Sequence, residues 1–160
     1  MEVLDIYDIN GKLTGRKIVR GVDKSGENEF IKLIAVWIKD KEKYLIQKTS
    51  PQKDSVYAVT GGHLTSGNSE VEQAVIEVKE ELGVDIEVDK LKYLGKMIFK
   101  KAIFEVYLCE NQITQNTKLT LQLDEVESVC WLNKSEIEDL IKKVFLENHL
   151  QIITKNLSNR

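Results

Sequence analysis

Residues 60–84 read TGGHLTSGNSEVEQAVIEVKEELGV, a stretch with a pair of glycines, helix signals at both ends and three closely spaced glutamates. Ser69 and Glu72 have the spacing of a capping box, which satisfies amide donors that a first helical turn leaves without partners. Val71, Val75, Val78 and Leu82 recur at helical spacing, and Gly83 suits the left-handed residue that ends a helix. The pattern predicts a helix over Ser69–Leu82 with a valine stripe buried against a sheet. Glu77, Glu80 and Glu81 then share an arc of about 100°, because positions three and four apart are neighbours on one face. The valine stripe points roughly the other way.

Three carboxylates so close together disfavour one another's ionised form unless solvent or a cation intervenes. Magnesium takes oxygen ligands and keeps several waters, so a few carboxylates and the phosphates of a substrate make a suitable coordination set. The same spacing also occurs on plain solvated helices, so the residues before the helix bear on the choice. Gly61 and Gly62 follow the strand-like Val56–Val59, and a glycine loop lets the backbone approach a ligand that a side chain would obstruct. Strand, glycine loop and acidic helix in series can set a metal beside a phosphate. His63 adjoins the glycines, where it can touch a phosphate or sit in solvent.

Working outward, Val3–Arg20 reads as a hairpin around Asn10-Gly11, a dipeptide suited to a tight turn. Phe30–Ile38 is rich in β-branched and aromatic residues, as a buried strand would be, and the charged turn Asp40–Lys43 leads into a second strand, Tyr44–Lys48. Beyond the helix, Ile86–Lys101 holds at least one strand, and Ala102–Cys109 and Val126–Leu132 are further strands. An amphipathic helix follows from about Ser135 to Leu146. Trp37 and Trp131 fall in strands and are expected in the core. Glu125, just before the Val126 strand, is a candidate general base by position, or else a surface charge. The order of elements predicts an α/β fold, a mixed sheet with helices on both faces.

The 160 residues have the length of one domain, residues 1–160, which can bury roughly two-thirds of its unfolded surface. Composition is ordinary for a globular chain, 42% hydrophobic and 31% charged. The 23 basic and 26 acidic residues give a net charge of −3, and no stretch is strongly basic, so a nucleic-acid duplex is not an expected partner. No apolar run of about 18 residues and no secretory leader is evident, which predicts a cytoplasmic protein without a membrane partner. Cys109 and Cys130 lack zinc spacing and are expected to be buried thiols.

The segment from Gly62 to Val84 resembles the Nudix box, G-x5-E-x7-R-E-U-x-E-E-x-G-U with U aliphatic. Gly62, Glu77, Val78, Glu80, Glu81, Gly83 and Val84 match without a gap. Asn68 stands where the family has its first glutamate, and Ile76 where it has an arginine that orients a metal-binding glutamate. DINGKLTGRKIVRG (8–21), YLIQK (44–48) and DEVESVCWLNKSEI (124–137) resemble one branch of the family, which shares its N-terminal hairpin with isopentenyl diphosphate isomerases.

The resemblance implies a Nudix-type α/β/α sandwich and hydrolysis of a diphosphate linkage in a nucleoside diphosphate derivative, with Mg2+ or Mn2+. It implies Glu77, Glu80, Glu81 and the Gly61 carbonyl as metal ligands, Gly62 and His63 at the substrate, and a catalytic role for the three helix glutamates together with Glu125. A homodimer is implied as well. Asn68 removes one negative charge and Ile76 a guanidinium fork, so a catalytically silent nucleotide-binding module stands as the alternative. Isomerase chemistry stands further off, because Cys109 and Cys130 fall in strands rather than in that enzyme's cysteine loop.

Overall fold

The computed structural model describes residues 1–143, 149–155 and 157. The turn signal at Asn10-Gly11 produces the expected hairpin, β1 (Val3–Tyr7) antiparallel to β2 (Leu13–Val19), with Gly11 at φ 80°. Asp8 Oδ1 accepts from the amides of Asn10 and Lys12 and so holds the turn in place. This ribbon is separate from the main sheet but tied to it. Tyr7 and Phe30 exchange both backbone hydrogen bonds, at 2.8 and 2.9 Å, and Leu4 forms a bridge with Thr65.

Seven strands make the main sheet: β3 (Ile31–Asp40), β4 (Lys43–Thr49), β5 (Tyr57–Ala58), β6 (Thr60–His63), β7 (Leu91–Phe99), β8 (Ala102–Glu110) and β9 (Val126–Leu132). β3 runs parallel to β8, from Ile31 opposite Ala102 to Lys39 opposite Glu110, and every other pairing is antiparallel. The sheet forks. β3 and β4 pair only at Lys39–Tyr44 and Asp40–Lys43, after which β3 takes β6 as its neighbour while β4 takes β5 and β9.

Helix α1 (Glu70–Leu82) covers one face, and α2 (Lys134–Lys142) and α3 (His149–Thr154) cover the other. Alternation along β3 supplies both interfaces, since successive side chains point to opposite faces. Ile34, Val36 and Ile38 pack with Ala74, Val78 and Leu82 of α1, while Ala35 and Trp37 pack with Ile137, Leu150 and Ile153. Each fully buried aliphatic side chain contributes about 1.5–3 kcal/mol. Among the described residues, no helix is long and apolar enough to cross a membrane.

Four local expectations change. Gly61 and Gly62 lie in β6, not in a loop, because their backbone pairs with Ala35 and Ile34 of β3. The stripe of α1 that enters the core is Ala74-Val78-Leu82, with Val71 and Val75 only half-buried at its margin. Cys109 is buried as expected, whereas Cys130 is exposed on β9, which pairs only with β4. The last amphipathic segment starts at Lys134, where Asn133 and Glu136 cap each other reciprocally, and α3 follows as a further helix. The expected extension through residues 144–146 lies outside the described residues.

Candidate active site

Helix α1 starts where Ser69 accepts the Glu72 amide at 3.2 Å and stops at Gly83, whose φ of 75° lets its N–H reach the Lys79 carbonyl at 2.9 Å. Between these caps it buries two adjacent stripes. Ala74-Val78-Leu82 enters the core, and Gln73-Glu77-Glu81 lies beside it, facing the open fork of the sheet. Glu77 and Glu81 are each only 8% exposed, while Glu80 is exposed. The glutamates therefore occupy the margin of the packed face, not the side opposite to it.

Each buried carboxylate is held by a glutamine amide. Gln73 Nε2 donates to Glu77 Oε1 at 2.9 Å, and Gln47 Nε2, from β4, donates to Glu81 Oε1 at 3.2 Å. Glu81 Oε1 also accepts the Gly61 amide at 3.3 Å, and Gln47 accepts from the Thr60 hydroxyl. The glycines are required by contact. A Cβ on Gly61 would lie 2.1 Å from the Ile34 carbonyl oxygen, and one on Gly62 would lie 2.4 Å from the Glu77 carboxylate.

Burial, and then the neighbouring charge of Glu81, push the Glu77 carboxyl up to about 8, with the Gln73 amide acting the other way. Burial pushes Glu81 up to about 7, opposed by Gln47 and the Gly61 amide and reinforced by Glu125 and Glu80. Two buried carboxyls that resist ionisation for want of a positive neighbour form a donor set that a divalent cation would relieve.

A cavity of about 250 Å3 opens at the fork, and Gly61, Gly62, His63, Glu77, Glu80, Glu81 and Glu125 all line it. The sequence thus named seven residues that the fold brings to one place. Glu125 is set there by Ser50, whose N–H reaches the Glu125 carbonyl at 3.0 Å and whose hydroxyl reaches the Asp124 carbonyl at 2.7 Å. Lys53 approaches the Glu125 carboxylate at 3.6 Å. The loop before β9 is pinned to the end of α1 by Thr120 N–H to the Leu82 carbonyl and Gln122 N–H to the Glu81 carbonyl. Leu33, Ala35 and Phe104 give the cavity an apolar wall, and Arg20 of the loop after β2 adds a second cation.

Among the described residues, no three His, Cys, Asp or Glu side chains converge tightly enough to hold a metal by themselves. The donors fit a hydrated divalent ion shared with substrate phosphates better than a closed protein cage. Asn68 Nδ2 donates to Thr65 Oγ1 at 2.8 Å and to Gln73 Oε1 at 3.0 Å, and Ile76 is half-buried. Gln47 and Gln73, which hold the two buried carboxylates, are among the site residues the sequence did not announce. Gln73 carried a signal in its i,i+4 spacing to Glu77, whereas Gln47 carried none, being 34 positions from Glu81.

The NUDIX domain family matches residues 31–152 of this chain, with the acidic helix and the fork inside the matched span. The chain belongs to the Nudix family. Nudix hydrolases are pyrophosphohydrolases, and the expected mixed α/β sandwich is the fold observed. An uncharacterized Nudix hydrolase from Clostridium acetobutylicum is 32% identical over 166 residues, covering 93% of this chain and 76% of the relative. A crystal structure of a Deinococcus radiodurans protein superposes with TM-score 0.74 at 17% identity, covering 93% of this chain and 94% of that one. A bifunctional NMN adenylyltransferase/ADP ribose pyrophosphatase from Francisella tularensis, complexed with AMP and a Mn ion, superposes with TM-score 0.62 at 19% identity. It covers 81% of this chain and 42% of its own. The two crystal structures speak for a shared fold alone. The matched span begins at Ile31, so the β1–β2 hairpin of this Nudix protein lies before it.

Proposed function

We propose that this protein, as one domain over residues 1–160, hydrolyses a diphosphate linkage in a nucleoside diphosphate derivative with Mg2+, or with Mn2+ in its place. The observation that carries the reading is the convergence of seven candidate residues on one cavity in a chain of the Nudix family. Glu77, Glu80, Glu81 and the Gly61 carbonyl would hold the ion, which supplies charge that polarises phosphoryl oxygens and acidifies an attacking water. Gly62, without a side chain, lets the diphosphate come close to the backbone. His63 beside it contacts a phosphate oxygen. Glu125, on the loop before β9, would take the proton of the attacking water. The apolar wall of Leu33, Ala35 and Phe104 gives a nucleobase a surface to cover.

The structural neighbour complexed with AMP and a Mn ion is in keeping with the nucleotide and the metal. A cytoplasmic setting and a homodimer belong to the same reading, and light scattering that returns the mass of one chain removes the dimer. Cysteine-dependent isomerase chemistry is disfavoured. Burial pushes the Cys109 thiol up to about 11, and neither cysteine lines the cavity.

The test is a phosphate-release screen over nucleotide sugars, dinucleotide polyphosphates and oxidised nucleotides, with and without Mg2+. We expect magnesium-dependent product that falls at least about 100-fold in Glu81→Gln. Asn68 and Ile76 favour one rival, the silent binding module. It wins if the wild type yields no product from any substrate while Asn68→Glu with Ile76→Arg turns one over.

A further inference from the structure

We infer that Gln73 is the positioning residue for Glu77, holding that carboxylate in its cavity-facing orientation through a relay that begins at the N-terminal hairpin. The inference rests on the metal-site reading above.

The orientation of the Gln73 amide follows from its partners. Its Oε1 receives the Thr65 backbone N–H at 3.1 Å, the Thr65 hydroxyl at 3.0 Å and Asn68 Nδ2 at 3.0 Å. A backbone N–H and an amide nitrogen can only donate, so the atom facing them is oxygen and the atom facing Glu77 is nitrogen. A donor at 2.9 Å selects the accepting carboxylate of Glu77 and ties one of its oxygens. Gln73 is 3% exposed, so water does not compete for these bonds. Asn68 meets Glu77 only through Gln73, and the aliphatic Ile76 can make no hydrogen bond.

The other end of the relay is fixed as well. Thr65 forms a β-bridge with Leu4, and the next amide, Ser66 N–H, donates to the Val3 carbonyl at 2.7 Å. The Ser66 hydroxyl adds a bond to Asp5 Oδ1 at 2.9 Å. Strand β1 thus holds Thr65, Thr65 holds the Gln73 oxygen, and the Gln73 nitrogen holds Glu77. A side chain that contacts no ligand directs one that does, and partners of this kind typically change metal affinity 10–100-fold when removed.

The probe is Mn2+ alone, titrated into the full chain without substrate and read by the electron paramagnetic resonance of free and bound ion. Gln73→Met keeps the volume and removes every hydrogen bond. We expect its Mn2+ affinity to fall at least about 10-fold. In a Glu77→Gln background the same change is expected to leave affinity within about twofold, because its effect passes through Glu77. Thr65→Val, which keeps the backbone N–H and loses only the hydroxyl, is expected to weaken binding by about threefold and serves if Gln73→Met does not fold. Mn2+ affinity within twofold of wild type in folded Gln73→Met, or unchanged affinity in Thr65→Val where the first variant fails, overturns the proposal. An equal loss in the Glu77→Gln background also overturns it, since that marks general damage. A wild type that binds no Mn2+ removes the metal-site reading itself, a failure distinct from these.

Discussion

Helix α1 contributes carboxylates to two clusters, one around Glu70 and one around Glu77 and Glu81, and the protein treats them in opposite ways. At its first turn, Glu70 joins Glu105 of β8 around Lys32 of β3, with nitrogen–oxygen distances of 3.2 and 2.7 Å. Tyr107 donates to Glu70 at 2.6 Å, Tyr93 donates to Glu105 at 2.7 Å, and the Lys32 ammonium lies 4.7 Å from the centre of the Tyr7 ring. Burial pulls the Lys32 ammonium down, but its bonds and charge contacts with Glu105 and Glu70 outweigh that and leave it raised. Two turns further on, Glu77 and Glu81 receive only dipoles, from Gln73, Gln47 and the Gly61 amide. The first cluster carries its own cation. The second faces a cavity, and among the described residues neither Glu77 nor Glu81 is in an ion pair. Burial alone therefore does not mark a functional carboxylate, and what supplies the opposite charge does.

The sharpest way to break this contrast is to remove the built-in cation. Lys32→Met leaves Glu70 and Glu105 without it in a nearly closed site, and breaking such a buried pair costs about 3–5 kcal/mol. Urea denaturation should show that loss, and a change under about 1 kcal/mol would place the cluster among ordinary surface ion pairs.

A smaller effect separates the clusters by pH. Glu77 and Glu81 carry folded values of about 8 and about 7 against an ordinary 4.5. Both take up protons more readily when folded, so between about pH 4.5 and 8 the native state binds more protons than the unfolded chain. Stability of the metal-free protein should then fall as pH rises through that window. Millimolar Mg2+ should restore most of it at pH 8 by binding only the native state. Thermal scans from pH 5 to 8 that stay flat would show that these carboxyls ionise without strain.

The smallest effect has the opposite sign to the first. Glu81→Gln keeps an acceptor for Gln47 and the Gly61 amide while deleting a charge, so without metal at pH 8 it should gain about 1 kcal/mol even as turnover is lost. A destabilised Glu81→Gln in the same denaturation assay would mean that the charge itself supports the fold.

Much of this was legible in the chain, for reasons that differ by element. The hairpin at Asn10-Gly11, the cap at Ser69 and the stop at Gly83 are signals confined to a few adjacent residues, and each appears where expected. The box segment holds Gly62, His63, Glu77, Glu80 and Glu81, with Gly61 directly before it, whereas Glu125 was singled out by its position before a strand. What stayed hidden depends on partners far along the chain. Gly61 and Gly62 lie in a strand only because β3, some 26 positions earlier, pairs with them, as Ala35 opposite Gly61 records. The depth of Glu77 and Glu81 was masked by counting Val71 and Val75 in the inner stripe, when Ala74, a small residue with little weight in a hydrophobic pattern, begins it. Gln47 reaches Glu81 across the fork from another strand, and no local spacing encodes that.

The tight seating of Gly61 and Gly62 bears on how such a protein can diversify. A single added carbon at either position collides with the Ile34 carbonyl or the Glu77 carboxylate, so the floor of the cavity is closed to mutational tinkering. Novelty in what is recognised has to be introduced from the rim. Glu2 precedes the amino-terminal ribbon, Arg20 lies in the loop after it, and Lys53 in the turn after β4. These positions can vary without touching that floor. A directed-evolution library confined to them would alter the rim while leaving Gly61, Gly62, Glu77 and Glu81 in place.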